Sequence, residues 1–207
     1  MIVRIGALLH PGLQEADRIG GVISAAMKDD PLHHYFFPDE QERARIEPVL
    51  FRLIVEYGIL QGNLLVTSAE YEGAAYWETG HDKRLAGVTR VLWGGLQLLR
   101  RTGLRTLSRM ANAGRAAFRL RRQLVPYPHW YLGLLAVDPR HQGKGYASAL
   151  LRPVLEKLAG ERMPCYLETH KKENVTLYEH FGFRVLEELE LPGTRVRQWC
   201  LLKSAPE

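Results

Sequence analysis

The sequence predicts an α+β domain, and three observations carry the prediction. Strand-sized apolar runs and stretches of helical periodicity share the chain from end to end. The best-formed unit, Leu132 to Leu151, reads as a strand, a tight glycine turn and a helix. At 207 residues, 46% apolar and 25% charged, the chain has the length and composition to bury the core of one domain, residues 1–207.

The elements follow in order. Val3 to Ala7 reads as a first strand. Gln14 to Met27 places Ala16, Ile19, Val22, Ile23 and Ala26 at helical spacing, and Asp29-Asp30-Pro31 breaks the pattern. Leu32 to Pro38 reads as an aromatic loop. Asp39 then caps a helix from Glu40 to Tyr57, and Gly58 and Gly62 end that segment. Asn63 to Ser68 and Gly73 to Thr79 form a hairpin. Residues 83–125 read as two amphipathic helices interrupted at Thr102-Gly103. The central strand runs from Trp130 to Val137 and ends at Asp138-Pro139, because proline cannot donate to a ladder. After the turn Arg140 to Gly145, a helix runs from Tyr146 to about Ala159. Cys165 to Thr169 is a strand, Asn174 to Phe181 a short helix stopped by Gly182, and Phe183 to Leu191 and Arg195 to Leu202 are the last two strands. There is no internal repeat or low-complexity stretch.

Charge and cysteine usage narrow the classes. The net charge is +5, but Lys83 to Val125 holds eleven Lys/Arg and no acidic residue. Taking those eleven from the 28 basic residues leaves 17 against 23 acidic ones elsewhere. The arginines of this block (Arg100, Arg101, Arg105, Arg109, Arg115, Arg119, Arg121 and Arg122) read as a solvated basic face. Steering of a phosphorylated ligand and contact with an acidic partner or nucleic acid remain open for it, although no aromatic residues interleave as base-stacking platforms. Apolar runs fall short of the ~20 residues of a membrane span, and the N-terminus lacks a signal-peptide pattern. Cys165 and Cys200 read as buried core thiols, and a cytoplasmic, reducing compartment follows as the expectation. His33 and His34 have no further ligand at metal spacing, so no metal is expected.

The glycine turn has the geometry of an anion site. The first amides of a helix lack intrahelical partners and the helix dipole favours negative charge there. Gly143 and Gly145 clear the approach, and Lys144 adds positive charge. The turn is neither a Walker sequence nor a Gly-x-Gly-x-x-Gly fingerprint.

Gln142-Gly143-Lys144-Gly145-Tyr146-Ala147 resembles the Gln/Arg-x-x-Gly-x-Gly/Ala signature of the GNAT superfamily of acetyl-CoA-dependent N-acetyltransferases. Asn174 to Phe183 is similar to that superfamily's Asn-x-x-x-Tyr-x-x-x-Gly-Phe segment. The likeness narrows toward puromycin-type acetyltransferases at His129-Trp130-Tyr131-Leu132, Leu167-Glu168-Thr169 and Arg197-Gln198-Trp199-Cys200. It is strong over residues 129–203 and holds only in outline before them.

The resemblance implies α/β/α layers around a central mixed, mostly antiparallel sheet, with residues 83–125 as a helical insertion before the central strand. It implies acetyl-CoA as cofactor, held by Leu135, Ala136 and Val137 on the strand, by Gln142, Gly143, Lys144, Gly145, Tyr146 and Ala147 at the turn, and by Asn174. It implies Tyr178 as the acid that protonates the leaving thiolate. Glu168, or a water beside it, is the expected base. The position two before Leu135, a catalytic histidine in some relatives, is Gly133 here. His33, His34, Tyr35 and Tyr131 are expected on the acceptor side. Phe36 and Phe37 are read equally well as core plugs or as acceptor contacts.

The implied reaction is direct acetyl transfer, in a ternary complex, to a primary amine of a small molecule such as an aminonucleoside. Neither nucleic acid nor membrane is expected as a partner, and the chain is expected to be a monomer or homodimer. The alternatives are a protein acetyltransferase of the same fold, and a non-catalytic CoA-binding domain.

Overall fold

The computed structural model describes residues 8–79 and 88–206. The first expected strand, Val3 to Ala7, and the start of the basic block lie outside the described residues.

The chain turns first into helices because its early apolar residues recur at helical spacing. A 3-10 turn leads into α1 (Ala16–Met27), which buries Ala16, Ile19 and Ile23. The segment expected as an aromatic loop is instead a short helix, α2 (Pro31–Phe36). Its start is locally encoded: Asp30 accepts from the amides of Leu32 and His33, and Pro31 sits at the first turn, where a missing N–H costs nothing. Asp39 caps α3 (Glu40–Gln61) by accepting from the Glu42 amide at 2.6 Å. This helix runs one turn past the expected end, and Gly62 closes it in a left-handed conformation.

Among the described residues, β1 (Leu64–Val66), β2 (Gly73–Thr79), β3 (Trp130–Val137), β4 (Cys165–Thr169), β5 (Arg184–Glu190) and β6 (Arg197–Lys203) form one sheet in the order β1-β2-β3-β4-β6-β5. Only the central pair, β3 with β4, is parallel. Leu9 adds an isolated bridge to Val66 at the outer edge. Between β2 and β3 lies α4 (Val88–Leu124), two helices meeting at Gly103, whose φ of 76° and ψ of 169° are not helical. The interruption at Thr102-Gly103 is thus where the sequence puts it. The remaining helices are α5 (Tyr146–Gly160) and α6 (Lys172–His180).

Each sheet face has its own cover. α5 and α6 lie over Leu132, Leu167 and Leu201, with Leu150 and Leu151 wholly buried between. Truncating either leucine to alanine would cost about 2–5 kcal/mol. On the opposite face α1 and α3 cover Ala74, Tyr76 and Ala136, and the end of α4 covers Tyr166 and Cys200. Phe36 and Phe37 join Ile46 and Leu50 of α3 and Leu98 and Ala113 of α4 in a third cluster.

Two irregularities shape the middle of the sheet. The β2–β3 register passes from Tyr76↔Leu134 to Trp77↔Leu132, leaving Gly133 as the extra residue of a bulge. A Cβ at Gly133 would lie 3.1 Å from the Tyr76 ring and 3.3 Å from that of Tyr131, so any side chain there would make both rings give way by a few tenths of an ångström. The β3–β4 ladder stops at Leu132↔Leu167, while β3 stays paired with β2 as far as Val137. The two parallel strands therefore part, and the second half of β3 turns an unpaired edge toward the gap.

Candidate active site

Two cavities meet in that gap. The first, about 960 Å³, follows Leu135, Ala136 and Val137 to Gln142, Gly143 and Gly145 at the head of α5, with α6 opposite. The second, about 500 Å³, lies on the far side under α4. Six residues line both: Met27, Asp30, Leu135, His170, Asn174 and Tyr178. They form a waist through which the contents of one cavity would touch those of the other.

The first cavity fits a long phosphorylated ligand. Gly145 caps α5 in a left-handed conformation (φ 89°), and no side chain bonds to the cap, so the leading amides keep their donors. Gly143 is also left-handed (φ 74°), and a Cβ at either glycine would project into open space. The unpaired edge of β3 supplies further backbone donors and acceptors. The fit to coenzyme A is good: an anion cradle at one end, a strand edge for an amide-bearing arm along the side, and the waist beyond.

Not every expected cofactor residue contributes its side chain. Lys144 does not line the cavity, and its ammonium donates to the Arg140 carbonyl at 3.0 Å. The Tyr146 hydroxyl turns away to Glu72 at 3.3 Å, while Gln142 donates to the Val137 carbonyl at 3.2 Å and braces the turn. Asp138 holds that turn from behind. It accepts from the Arg140 amide and guanidinium, which hold its carboxyl down at about 2. Asn174 donates to the Thr169 hydroxyl at 3.2 Å.

Glu168 and Tyr131 both line the second cavity. Parallel pairing sets Tyr131 beside Tyr166, and the Tyr131 hydroxyl donates to Glu168 at 2.7 Å. Burial pushes the Glu168 carboxyl up, against the opposing effects of the Tyr131 hydrogen bond and the Arg121 charge. Burial likewise pushes the Tyr131 phenol well above its ordinary value.

His33 lines the cavity, bonds Glu47 at 3.1 Å and stacks on Phe51. The expectations for His34 and Tyr35 fail. His34 is exposed and bonds the Lys28 carbonyl, and the Tyr35 hydroxyl donates to the Gly193 carbonyl. Three consecutive residues of a helix cannot face one way. Phe36 does both things open to it, lining the cavity and filling the third cluster, whereas Phe37 is core alone.

Tyr178 is buried at the waist, its ring against Phe183 at 5.9 Å, and burial raises its phenol so that the proton stays on across the neutral range. Burial also pushes the Cys165 thiol up to about 12, and both cysteines are free.

Several residues went unread in the sequence. Arg121 and Arg109 are not part of a solvated face. The Arg121 guanidinium lies over the Tyr131 ring at 4.2 Å and 3.8 Å from Glu78, and both Arg121 and Glu78 line the second cavity. Arg109 donates to the Tyr35 carbonyl at 3.2 Å. His170 and Asp30 stand at the waist with 3.9 Å between Nδ1 and Oδ1. A helix of even periodicity does not say which of its arginines is covered. The Asp-Pro start of α2 was the one available signal for Asp30.

Residues 97–183 match the model of the Acetyltransferase (GNAT) family. An uncharacterized N-acetyltransferase of Schizosaccharomyces pombe is 28% identical over 174 residues, 76% of this chain and 66% of the relative, so the chain spans just under two thirds of that protein. Among solved structures, one described as histone acetyltransferase HPA2 and related acetyltransferase, from Corynebacterium glutamicum, superposes with a TM-score of 0.70 at 21% identity, covering 97% of each chain. The PaiA N-acetyltransferase of Thermoplasma acidophilum, in complex with coenzyme A, gives 0.56 at 11% identity over 96% of this chain and 98% of that one. The fold is the GNAT fold.

Proposed function

We propose that the chain acetylates a primary amine of a small molecule by direct attack on acetyl-CoA, with both reactants bound at once. The observation that carries this reading is the waist, where a cradle suited to coenzyme A opens into a second, separate cavity beside Tyr178. A small acceptor is supported by the second cavity itself. At about 500 Å³ it lies in the small-molecule range, and Met110, Ala113, Ala117 and Phe118 of α4 roof it. The likeness to puromycin-type enzymes points the same way, toward aminonucleosides or similar ring-bearing amines.

Bound acetyl-CoA supplies an acetyl thioester whose C–S bond breaks as the amide C–N bond forms. The chain's own groups do the rest. The α5 amides and the β3 edge hold the cofactor, and a backbone amide near Leu135 faces the waist as an oxyanion donor. Tyr178 keeps a proton on its hydroxyl for the leaving sulfur. Glu78 and Glu168 offer an entering ammonium its counter-charge. That ammonium must lose a proton first, and bringing an alkylamine from about 10.4 to neutrality costs about 4 kcal/mol. With both cysteines buried in the core, no acyl-enzyme is called for.

A protein acceptor is the second reading. The exposed arginines Arg100, Arg101, Arg105, Arg119 and Arg122 of α4 support it as a docking face for an acidic partner. We place the protein in a reducing cytoplasm, in keeping with its two free thiols, and among the described residues no helix is long and apolar enough to cross a membrane.

The test is acetyl-CoA-dependent release of free thiol across a panel of primary amines and acidic peptides. Turnover on small amines that survives charge reversal at Arg101 and Arg122 supports the proposal. Turnover confined to peptides and lost on that reversal supports the second reading.

A further inference from the structure

We infer that His170, seated against Asp30 and Gln198, is the group that takes the proton from the acceptor amine, a role the sequence gives to Glu168. The inference rests on the transferase reading and adds a residue to it.

Position comes first. Transfer takes place where the cavities meet, and among the described residues the ionisable side chains lining both are Asp30, His170 and Tyr178. Glu168 lines the acceptor cavity alone, where the Tyr131 hydroxyl already occupies one of its oxygens. Tyr178 holds its proton and serves as the acid, and Asp30 spends Oδ1 on the α2 amides. His170 is left.

The surroundings of His170 favour that role. Its Nε2 lies 3.3 Å from the Gln198 side-chain oxygen, and the Gln198 amide nitrogen is turned to Cys200 Sγ at 3.4 Å. With the Gln198 amide oriented in this way, its oxygen can only accept, so the ring proton belongs on Nε2 and the lone pair on Nδ1. Nδ1 is the nitrogen facing Asp30, at 3.9 Å. In the step itself, one N–H bond of the ammonium breaks and one N–H bond forms at Nδ1. The resulting imidazolium is stabilised by the Asp30 carboxylate, and no other bond changes. Burial lowers the imidazole's affinity for protons, against the effect of Asp30, so the ring is neutral and competent near pH 7. Of the ionisable groups that line the two cavities, Asp30 raises the ring's affinity for protons and His33 lowers it; Glu78, Arg121, Tyr131, Glu168, Lys171 and Tyr178 are among the others, and β6 adds the neutral Gln198.

Two readouts test this. The first is nitrogen-15 NMR of the imidazoles in the unloaded protein. His170 is expected as the Nε2–H tautomer at pH 8, gaining its second proton at Nδ1 as the pH falls, with the midpoint moved to lower pH in Asp30→Asn. The second is the pH profile of kcat/KM with phenethylamine as acceptor. The wild type should lose activity on an acid limb. His170→Gln should lose about 10²–10⁴-fold at neutral pH and the limb with it, while its melting temperature still rises with acetyl-CoA. Glu168→Gln should keep the limb and change mainly KM. An Nδ1–H tautomer, or a limb that survives in His170→Gln and disappears in Glu168→Gln, overturns the assignment and returns the base to Glu168. If the wild type transfers acetyl to no primary amine, the transferase reading fails, and this inference falls with it whatever the tautomer.

Discussion

Tyr178→Phe isolates one hydroxyl at the waist. The ring is buried and packs edge-on against Phe183 at 5.9 Å, and phenylalanine keeps that contact. Losing the hydroxyl should therefore change stability by no more than about 1 kcal/mol, or about 2–4 °C in the melt of a chain this size. Catalysis should respond far more. A positioned general acid contributes about 10²–10⁴-fold, and at 1.36 kcal/mol per decade this raises the barrier by about 2.7–5.4 kcal/mol. The assay is thiol release at saturating acetyl-CoA, with melts run beside it. The fall is expected in kcat, with the acetyl-CoA melting shift intact. Because burial holds the phenol above its ordinary value, Tyr178 should add no alkaline limb between pH 7 and 9. A kcat within threefold of wild type would refute the reasoning and leave the leaving group to be protonated by water.

Three further outcomes follow from the geometry. Gly145→Val places a β-branched residue at a φ of 89°; it should lower stability by about 1–2 kcal/mol and abolish the acetyl-CoA stabilisation, which at 100 times the dissociation constant is about 2.7 kcal/mol in the wild type. Arg121→Gln removes the cation over Tyr131 and beside Glu78; with Glu168 then less ionised, KM for the amine should rise roughly fivefold, from about 1 kcal/mol of lost attraction. Asp138 has its carboxyl held at about 2, below the ordinary 3.8, first by the Arg140 hydrogen bond. A depressed carboxylate stabilises above its unfolded value and loses that contribution as pH falls through the folded one. Urea melts should therefore show Asp138→Asn weaker than wild type at pH 7 by about 1–2 kcal/mol, Arg140 being largely solvated, with the gap closing between pH 4 and 2.

The catalytic half was the more legible. Trp130–Val137 was readable to the residue because it is an apolar run closed by Asp138-Pro139, Cys165–Thr169 because Pro164 opens a short β-prone stretch, and the turn between β3 and α5 announces itself by its glycines. What the sequence hid is long-range. The bulge at Gly133 depends on Tyr76, which lies on the other side of α4 in the chain, and it is the bulge that sets which β3 residues face the waist. His170 and Asp30 meet because α2 folds back over the end of β4, which no local pattern encodes. Lys144 shows the converse error. A lysine inside a phosphate-type turn suggests a ligand contact, but its flexible stem finds a nearer carbonyl at Arg140. In the basic block the charge count was right, yet burial of Arg109 and Arg121 depends on how α4 lies across α2 and β3.

The central claim is that the two joined cavities carry out acetyl transfer to an amine. The most direct measurement is mass spectrometry of phenethylamine incubated with the protein and acetyl-CoA bearing a carbon-13 acetyl group. The account predicts labelled N-acetyl product in one-to-one amount with free coenzyme A, dependent on the protein and absent in the double variant His170→Gln, Tyr178→Phe. A protein whose melting temperature rises with acetyl-CoA but which labels neither phenethylamine nor any other primary amine or peptide would contradict it, and would make the chain a coenzyme-A-binding module.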